Sequence, residues 1–176
     1  MMHALIVGAQ GVGKSTLIQK VLRELNLPVS GYETKKEDSL ADPLLGTPVY
    51  IYPAGTVHTQ APERLLGYRC CDHPVTYPEA FDRFAEKLDR EKDTGIVVLD
   101  EIGFMESGAE SFRAAILRKL DANVPVIAAV KNVDTPFLRA VREHPNCRCF
   151  FIDPDNRDQL YFQVLEYLKE KENERL

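Results

Sequence analysis

A glycine-rich stretch near the start of the chain constrains its fold more than any other feature. Residues 8–15 read G-A-Q-G-V-G-K-S and match the pattern G-x-x-x-x-G-K-[ST] without a mismatch. The stretch follows an apolar segment, Ala4–Val7, and opens an amphipathic one, Lys14–Leu25. A loop between a strand and a helix is the setting that phosphate binding requires, so the sequence predicts an α/β domain with a phosphate-binding loop.

The residue types of this loop predict how a nucleotide would be held. Glycines allow successive backbone N–H groups to point inward as an anion nest, and the N-terminus of the following helix adds a favourable dipole. Lys14 is expected to reach the β- and γ-phosphates, Ser15 to ligate Mg²⁺ and Thr16 to contact the α-phosphate. The predicted nucleotide-binding residues of this segment are Gly8, Ala9, Gln10, Gly11, Val12, Gly13, Lys14, Ser15 and Thr16.

A second candidate site consists of acidic residues and follows the apolar segment Ile96–Leu99. A parallel strand delivers its last residues to the sheet edge where open α/β sheets bind ligands. Asp100 therefore takes the position of a Walker B aspartate that holds Mg²⁺ directly or through water. Glu101 is expected to point the other way and to orient or deprotonate an attacking water.

The same segment also matches D-x-x-G, the γ-phosphate sensor of GTPases, with Gly103 as the sensor residue. A guanine-specific switch would normally carry N-K-x-D after the next strand. This chain has K-N-V-D at Lys131–Asp134, with the first two residues transposed, which argues against a guanine switch.

Five apolar or β-branched segments are predicted as strands, and amphipathic segments lie between them. The four continuously apolar ones suit a buried parallel sheet, whereas the segment between Pro48 and Pro53 suits an edge or hairpin strand. The alternation predicts a doubly wound, mainly parallel sheet in a single domain over residues 1–176, with an antiparallel or irregular insertion over 29–75 and a frayed tail over 170–176. The strands are Ala4–Val7, Val49–Tyr52, Ile96–Leu99, Val126–Val130 and Cys149–Ile152.

Local signals predict where the helices begin. Thr76 and Ser107, each three residues before a glutamate, resemble capping boxes. Thr135 followed by proline predicts the start of a short helix that ends at about Arg142. A last helix is expected from about Asn156.

Composition excludes several classes of protein. A formal net charge of −5 argues against a protein that coats nucleic acid. The longest apolar run has seven residues, Val124–Val130, too short for a membrane span, and no secretory leader is evident. We therefore expect a cytoplasmic monomer with neither a nucleic-acid nor a membrane partner.

Four cysteines and two nearby histidines are candidate zinc ligands. Their spacing lacks the C-x₂₋₄-C pattern of a chelating turn, so reduced cysteines that pack in the fold are expected instead. The six residues are Cys70, Cys71, His73, His144, Cys147 and Cys149.

With these motifs combined, the chain resembles the small P-loop nucleoside-triphosphatase family first described from thermophiles, which has cancer-related animal members. The resemblance is carried by Gly8–Thr16, by D-E-I-G-F-M-E at Asp100–Glu106, by N-R-D at Asn156–Asp158 and more weakly by Gly31–Thr34. The chain has Phe104 where the family has a lysine, and Lys131 with Asn132 where the family often has His-Arg.

This resemblance implies a RecA-like α/β domain that hydrolyses ATP, GTP and other nucleoside triphosphates with Mg²⁺. It also adds Arg157 to the nucleotide-binding residues. Four arginines remain open as the residue that stabilises the transition state: Arg64, Arg69, Arg113 and Arg157.

Two alternatives remain open besides hydrolysis. The first is a small-molecule or nucleotide kinase that uses the same loop. The second is a nucleotide-dependent binding module, whose partner surface would lie around Leu44–Tyr52 and Pro62–Tyr68. The sequence does not identify the preferred base, the physiological substrate or a protein partner.

Overall fold

The computed structural model describes residues 1–70, 74–103 and 105–175. Strands and helices alternate along most of the chain. The helices are α1 Lys14–Leu25, α2 Pro78–Arg90, α3 Glu110–Asp121, α4 Pro136–Arg142 and α5 Arg157–Arg175. The strands are β1 His3–Gly8, β2 Val29–Lys36, β3 Thr47–Pro53, β4 Leu65–Arg69, β5 Val75–Thr76, β6 Ile96–Ile102, β7 Val126–Lys131 and β8 Cys147–Phe151.

All of these strands join one sheet in the order β5-β4-β3-β2-β6-β7-β1-β8. Five neighbouring strands of this sheet pair in parallel, in the spatial order β2, β6, β7, β1 and β8. At the β2 side, β3, β4 and β5 extend the sheet by antiparallel pairing. Because β2 and β4 are both antiparallel to β3, β4 runs in the same direction as the parallel strands. The carboxyl ends of β1, β2, β4, β6 and β7 therefore lie along one edge of the sheet.

Helices cover both faces of the sheet. Helices α1 and α5 pack on one face, and α2, α3 and α4 pack on the other. Successive residues of β1 alternate between the two layers, with Leu5 and Val7 on the α2–α4 side and Ala4 and Ile6 on the α1–α5 side. Burial on both faces accounts for the continuous apolar runs. The predicted doubly wound, mainly parallel sheet is thereby confirmed.

The predicted strands are all present. Strands β1, β3, β6 and β7 are one to three residues longer than predicted, whereas β8 begins two residues before Cys149 and ends one residue before Ile152. The segment predicted as an edge or hairpin strand lies within β3, which forms antiparallel pairs with both β2 and β4. The hairpin pairing is confirmed, and the edge position is wrong because β3 has a neighbour on each side.

The predicted insertion over 29–75 is wrong at its start. Val29–Lys36 is a parallel strand of the main sheet, paired with β6, and the antiparallel extension begins at Thr47. The strand went unpredicted because it buries polar side chains, Ser30 and Glu33, and so lacks the apolar run of a parallel strand.

The predicted start and end of α4 are confirmed. The Thr135 hydroxyl accepts a hydrogen bond from the backbone N–H of Leu138 at 3.2 Å, and Pro136 occupies the first helical position. The helix ends at Arg142.

Both predicted capping boxes are wrong. Helix α2 begins after Tyr77 and α3 after Ala109, and neither of these residues makes a side-chain cap. At the other end of the chain, α5 is helical to Arg175, so most of the segment predicted to fray is helical, while its fraying stays a prediction. No helix within the described ranges is both long and apolar enough to span a membrane.

Candidate functional site

The loop between β1 and α1 has the backbone geometry of an anion-binding nest. Gly11 and Gly13 adopt φ values of 72° and 104°, in the left-handed region that a glycine occupies at little cost. Gly13 is also the N-cap of α1, and the first turn of that helix carries no acidic side chain. The first N–H groups of α1 are therefore free of a competing carboxylate within its first turn, as phosphate binding requires.

Lys14 lies almost entirely buried beneath this loop. Its Nζ donates hydrogen bonds to the carbonyl oxygens of Gly8 at 2.9 Å and Ala9 at 2.8 Å. The same atom lies 3.1 Å from Oε2 of Glu101. These contacts use the three donors of the ammonium group and fix the lysine between the loop and the acidic strand β6.

Ser15 and Asp100, the predicted metal ligands, are in direct contact. The Ser15 hydroxyl donates to Oδ1 of Asp100 at 2.9 Å. Burial raises the pKa of Asp100 to about 6, although the Ser15 hydrogen bond opposes this shift. A hydroxyl and a carboxylate are the hard oxygen ligands that suit Mg²⁺, which commonly takes one or two protein ligands together with substrate phosphates and water. The donor set therefore fits Mg²⁺ bound jointly with a nucleotide.

The predicted orientation of Glu101 is wrong. Its carboxylate lies between two lysines, with Oε2 near Lys14 and Oε1 3.4 Å from Nζ of Lys131, and it lines the same cavity as Asp100. The strand pairing between β6 and β7 is irregular from Asp100 to Ile102, which breaks the strict alternation of side chains along β6. Both acidic residues therefore face the phosphate loop.

Gly103, the glycine of the D-x-x-G match, ends the acidic segment. Its backbone N–H donates to Oε1 of Glu106 at 2.6 Å. Glu106 is 3% exposed, and burial raises its pKa to about 7. Phe104, between these two residues, lies outside the described residues.

A cavity of about 200 Å³ lies where β1, β2, β4, β6 and β7 end. The phosphate loop forms one side of it and the acidic residues another. Basic side chains from three further strands complete the lining: Lys36, Arg69 and Lys131. This cavity therefore combines the predicted metal ligands and the predicted catalytic glutamate with a basic wall.

A second cavity of about 380 Å³ lies on the other side of the phosphate loop, lined by Gly13, Thr16 and residues at the start of α5. Arg157 belongs to this side, since a β-carbon built on Gly13 would lie 3.7 Å from its Nε. Asn156 fixes the turn before α5 by donating to Phe151 O at 2.8 Å and accepting from Asp153 N at 3.0 Å. The N-R-D motif thus divides into a turn residue and an arginine beside the loop.

The arginines that are candidates for stabilising the transition state differ in whether they line the first cavity. Arg64 donates to Thr59 O and lies 5.8 Å from the ring of Tyr52. Arg113 lies 5.8 Å from the ring of Phe137. Neither lines the cavity that contains Asp100, whereas Arg69 does.

The residues of the K-N-V-D segment, Lys131–Asp134, have separate roles. Lys131 pairs with Glu101 in the first cavity. Asp134 instead pairs with Arg139, with Oδ2 2.7 Å from Nη2. The K-N-V-D segment therefore divides between the phosphate side and the start of α4.

Sequence reasoning missed the contribution of β2 to the site. Thr34 accepts the backbone N–H of Glu101 at 3.3 Å, and Lys36 lines the first cavity. Glu33 lies beside Asp100 in the strand register, is 7% exposed and is bonded to Gln19 and His58. The weak G-x-x-T resemblance at Gly31–Thr34 was the one sequence signal for this strand.

Of the three cysteines that the structure describes, Cys147 and Cys149 pack in the fold as predicted and Cys70 does not. Cys147 is buried, and burial raises its pKa to about 12. The Cys149 thiol donates to the carbonyl of Arg142 at 3.5 Å, and Cys70 is exposed. The described part of the chain contains no group of three or more His, Cys, Asp or Glu residues arranged to hold a metal ion. Cys71 and His73 lie outside the described residues.

Comparisons with known proteins agree with this geometry. A family model described as NTPase matches residues 3–165. A protein of Thermotoga sp. (strain RQ2) named "Nucleoside-triphosphatase THEP1" is 28% identical over 172 residues, covering 96% of this chain and 96% of the relative. A protein of Ignicoccus hospitalis with the same name is 30% identical over 176 residues, covering 93% of this chain and 94% of the relative.

Two solved structures share the fold. The crystal structure of THEP1 from Aquifex aeolicus has a TM-score of 0.68 at 22% identity and covers 96% of this chain and 99% of its own. The solution structure of a human cancer-related nucleoside triphosphatase has a TM-score of 0.68 at 22% identity, with coverage of 97% and 98%. Since the family match spans nearly the whole length, this chain belongs to the NTPase family.

Proposed function

We propose that the protein hydrolyses nucleoside triphosphates, ATP and GTP among them, to the diphosphate and inorganic phosphate, with Mg²⁺. The observation that carries the proposal is Glu101, held by Lys14 and Lys131 in the cavity that also contains the Ser15–Asp100 pair. A base, a phosphate-binding lysine and oxygen ligands for a cation thus converge at the end of the phosphate loop.

The reaction follows from these positions. The N–H groups of the loop and of α1 bind the β- and γ-phosphates, and Lys14 turns its ammonium from Glu101 towards them. Ser15 and Asp100 would hold Mg²⁺, which would supply charge neutralisation to the triphosphate. Glu101 accepts a proton from a water whose oxygen attacks the γ-phosphorus, and the bond from that phosphorus to the β–γ bridging oxygen breaks.

The nucleoside is proposed to occupy the second cavity, beside Arg157. That cavity is lined by exposed polar side chains, among them Lys20, Asp155 and Asp158. Strong discrimination between bases needs buried polar groups that the wrong base would leave unpaired. Exposed side chains impose a smaller penalty, which supports tolerance of several bases.

We further propose that the protein acts as a cytoplasmic monomer, without a nucleic-acid or membrane partner. The formal net charge of −5 opposes binding to polyanions. The free thiols of Cys147 and Cys149 suit a reducing compartment. Gel filtration coupled to light scattering tests the monomer, and a dimer would contradict it.

Phosphate release from ATP, GTP, CTP and UTP, with and without Mg²⁺, tests the main proposal. Lys14→Ala should lose nucleotide binding. Glu101→Gln should keep binding and lose turnover by about 10²-fold or more, because the amide cannot accept the proton. Glu86→Gln, an exposed change on α2, is the matched control and should leave turnover unchanged. Unchanged turnover in Glu101→Gln would refute the role of that residue.

A kinase is the second candidate, because the first cavity is larger than a single attacking water requires. The cavity measures about 200 Å³, whereas about 15 Å³ suffices for one water. Incubation of γ-labelled ATP with a pool of small metabolites separates the two functions. Label in free phosphate without the pool supports hydrolysis, and label that moves only into an organic product supports the kinase.

A further inference from the structure

The first cavity contains two cations that the reaction described above does not use. Lys36 is the last residue of β2 and Arg69 the last residue of β4. Because β4 runs parallel in direction to β2 and β6, its last residue reaches the edge at which the phosphate loop and Asp100 lie. The guanidinium of Arg69 donates to the side-chain oxygen of Gln10 within the phosphate loop. The antiparallel extension therefore delivers an arginine to the loop itself.

Among the described residues, no carboxylate lies within ion-pair distance of either cation, although the charges of Asp38 and Glu101 act on Lys36 from farther away and act to raise its pKa. Within residues 1–70, 74–103 and 105–175, no ion pair involves Lys36 or Arg69, and the Gln10 amide is uncharged. Burial and then the charge of Arg69 lower the pKa of Lys36. Burial also lowers the pKa of Lys131, and Arg69 adds to this shift while Glu101 opposes it. The three cations repel one another, and an anion placed among them would relieve that repulsion.

Charge builds up on the transferred phosphoryl group at this position. A γ-phosphate held by the loop and Lys14 would direct its outer oxygens into the cavity that Arg69 lines. A guanidinium offers paired, fixed donors that match two phosphoryl oxygens, which a lysine does not. Arg157 lies on the opposite side of the loop, beside Gly13, and so faces a different part of the nucleotide.

We propose that Arg69 is a further catalytic residue. During transfer its guanidinium breaks the hydrogen bond to Gln10 and binds the oxygens of the γ-phosphoryl group, while Lys36 adds positive charge next to Arg69. The inference rests on the proposed hydrolysis. It identifies the transition-state arginine as one supplied by this chain's own antiparallel extension, so a second protein is not required for that role.

Replacement of Arg69 tests the proposal, with Arg64→Ala as the matched control. Arg64 belongs to the same extension, but it lies over Tyr52 outside the cavity lining. Arg69→Ala should lower kcat by about 10²- to 10³-fold with KM changed only a few-fold. Arg69→Lys should recover part of the loss, and added guanidine should partly rescue Arg69→Ala. Arg64→Ala should match the unmodified protein in both constants.

A transition-state analogue separates catalysis from a structural role. ADP with aluminium fluoride and Mg²⁺ should bind Arg69→Ala more weakly by a factor close to the loss in kcat, while a non-hydrolysable ATP analogue should bind nearly as before. Equal loss for both ligands, or an unchanged kcat, would overturn the proposal. If Arg69→Ala retains full kcat while Glu101→Gln loses turnover, the role of Arg69 is wrong and the proposed hydrolysis still stands. If the unmodified protein releases no phosphate from any nucleotide, the proposed hydrolysis fails first.

Discussion

Glu106 is a carboxylate held almost completely out of water. It is 3% exposed, and its Oε1 accepts a hydrogen bond from the backbone N–H of Gly103 at 2.6 Å. Burial raises its pKa to about 7, although Gly103 and the charge of Lys131 both favour the ionised form. The folded protein therefore binds a proton at this residue over a pH range in which the unfolded chain has released it.

The Glu106→Gln variant should reveal how much the ionisation of this buried carboxylate lowers the free energy of unfolding. Because the pKa of Glu106 is higher in the folded than in the unfolded state, its ionisation lowers the free energy of unfolding as pH rises from about 4.5 to about 7. The amide keeps the bond to Gly103 and cannot ionise. We expect the variant to be more stable at pH 8, by at most about 3 kcal/mol, with the difference disappearing towards pH 4.5.

Urea unfolding at both pH values measures this difference. Glu86→Gln, on an exposed carboxylate, should show no comparable pH-dependent gain. A Glu106→Gln protein that is less stable than the unmodified protein at pH 8 would contradict the assignment.

The phosphate-loop residues could be predicted from the sequence because their geometry is local: eight consecutive positions specify the turn and the helix start. The side-chain direction of Glu101 could not, since it depends on the pairing irregularity between β6 and β7. Arg69 could be named as a candidate but not chosen. Its position depends on the direction of β4, which follows from pairings between distant segments.

Among the elements, β2 pairs with β6 at a position, Gly31, that leaves no space for a side chain. The residue has φ of 98°, and a β-carbon built there would lie 2.1 Å from the backbone oxygen of Val98. No side-chain rearrangement can relieve a contact with backbone. Strand β2, which carries Glu33, Thr34 and Lys36 into the site, therefore depends on a glycine at this position for its pairing with β6.

Gly31→Ala and Gly55→Ala form a matched pair that isolates this contact. Gly55 has a similar φ of 71°, but its nearest neighbour would lie 3.7 Å away, at Val29. Both changes carry the strain of a positive φ, about 1–2 kcal/mol. Gly31→Ala should cost at least twice as much as Gly55→Ala and should also lower turnover. Urea unfolding measures both costs, and equal values would show that the close approach is not restrictive.

The elements that the sequence predicted share a strong repeating pattern. The helix α1 and the strands β1, β6 and β7 are apolar runs or amphipathic repeats, because they face a core on one or both sides. Strands β2, β4 and β5 lack such runs. Thr76 resembled a cap but pairs within β5, since strand pairing took precedence over a local helix signal.

In the whole molecule, an acidic chain concentrates positive charge at one sheet edge. The formal net charge is −5, yet Lys14, Lys36, Arg69 and Lys131 lie at or near the first cavity. Attraction for a triphosphate is therefore local, and it is supported by backbone dipoles rather than by the overall charge.

Ligand binding should therefore stabilise the whole fold by mass action. A non-hydrolysable ATP analogue with Mg²⁺, at about 100 times its Kd, adds about 2.7 kcal/mol. For a chain of this size that corresponds to a rise in Tm of about 5–10 °C. Differential scanning fluorimetry should show the full rise only with both components. Lys14→Ala should abolish it and Arg64→Ala should retain it, and an equal rise without Mg²⁺ would contradict joint binding.

The phosphate loop separates two cavities built from different parts of the chain. The antiparallel extension and β6 build one, whereas the start of α5 builds the other. With the nucleoside placed in the second cavity as proposed, a substitution in β4 would alter phosphoryl transfer without touching the lining beside Arg157. Turnover and nucleobase preference would then be free to diverge independently during evolution, each through its own segment of the gene.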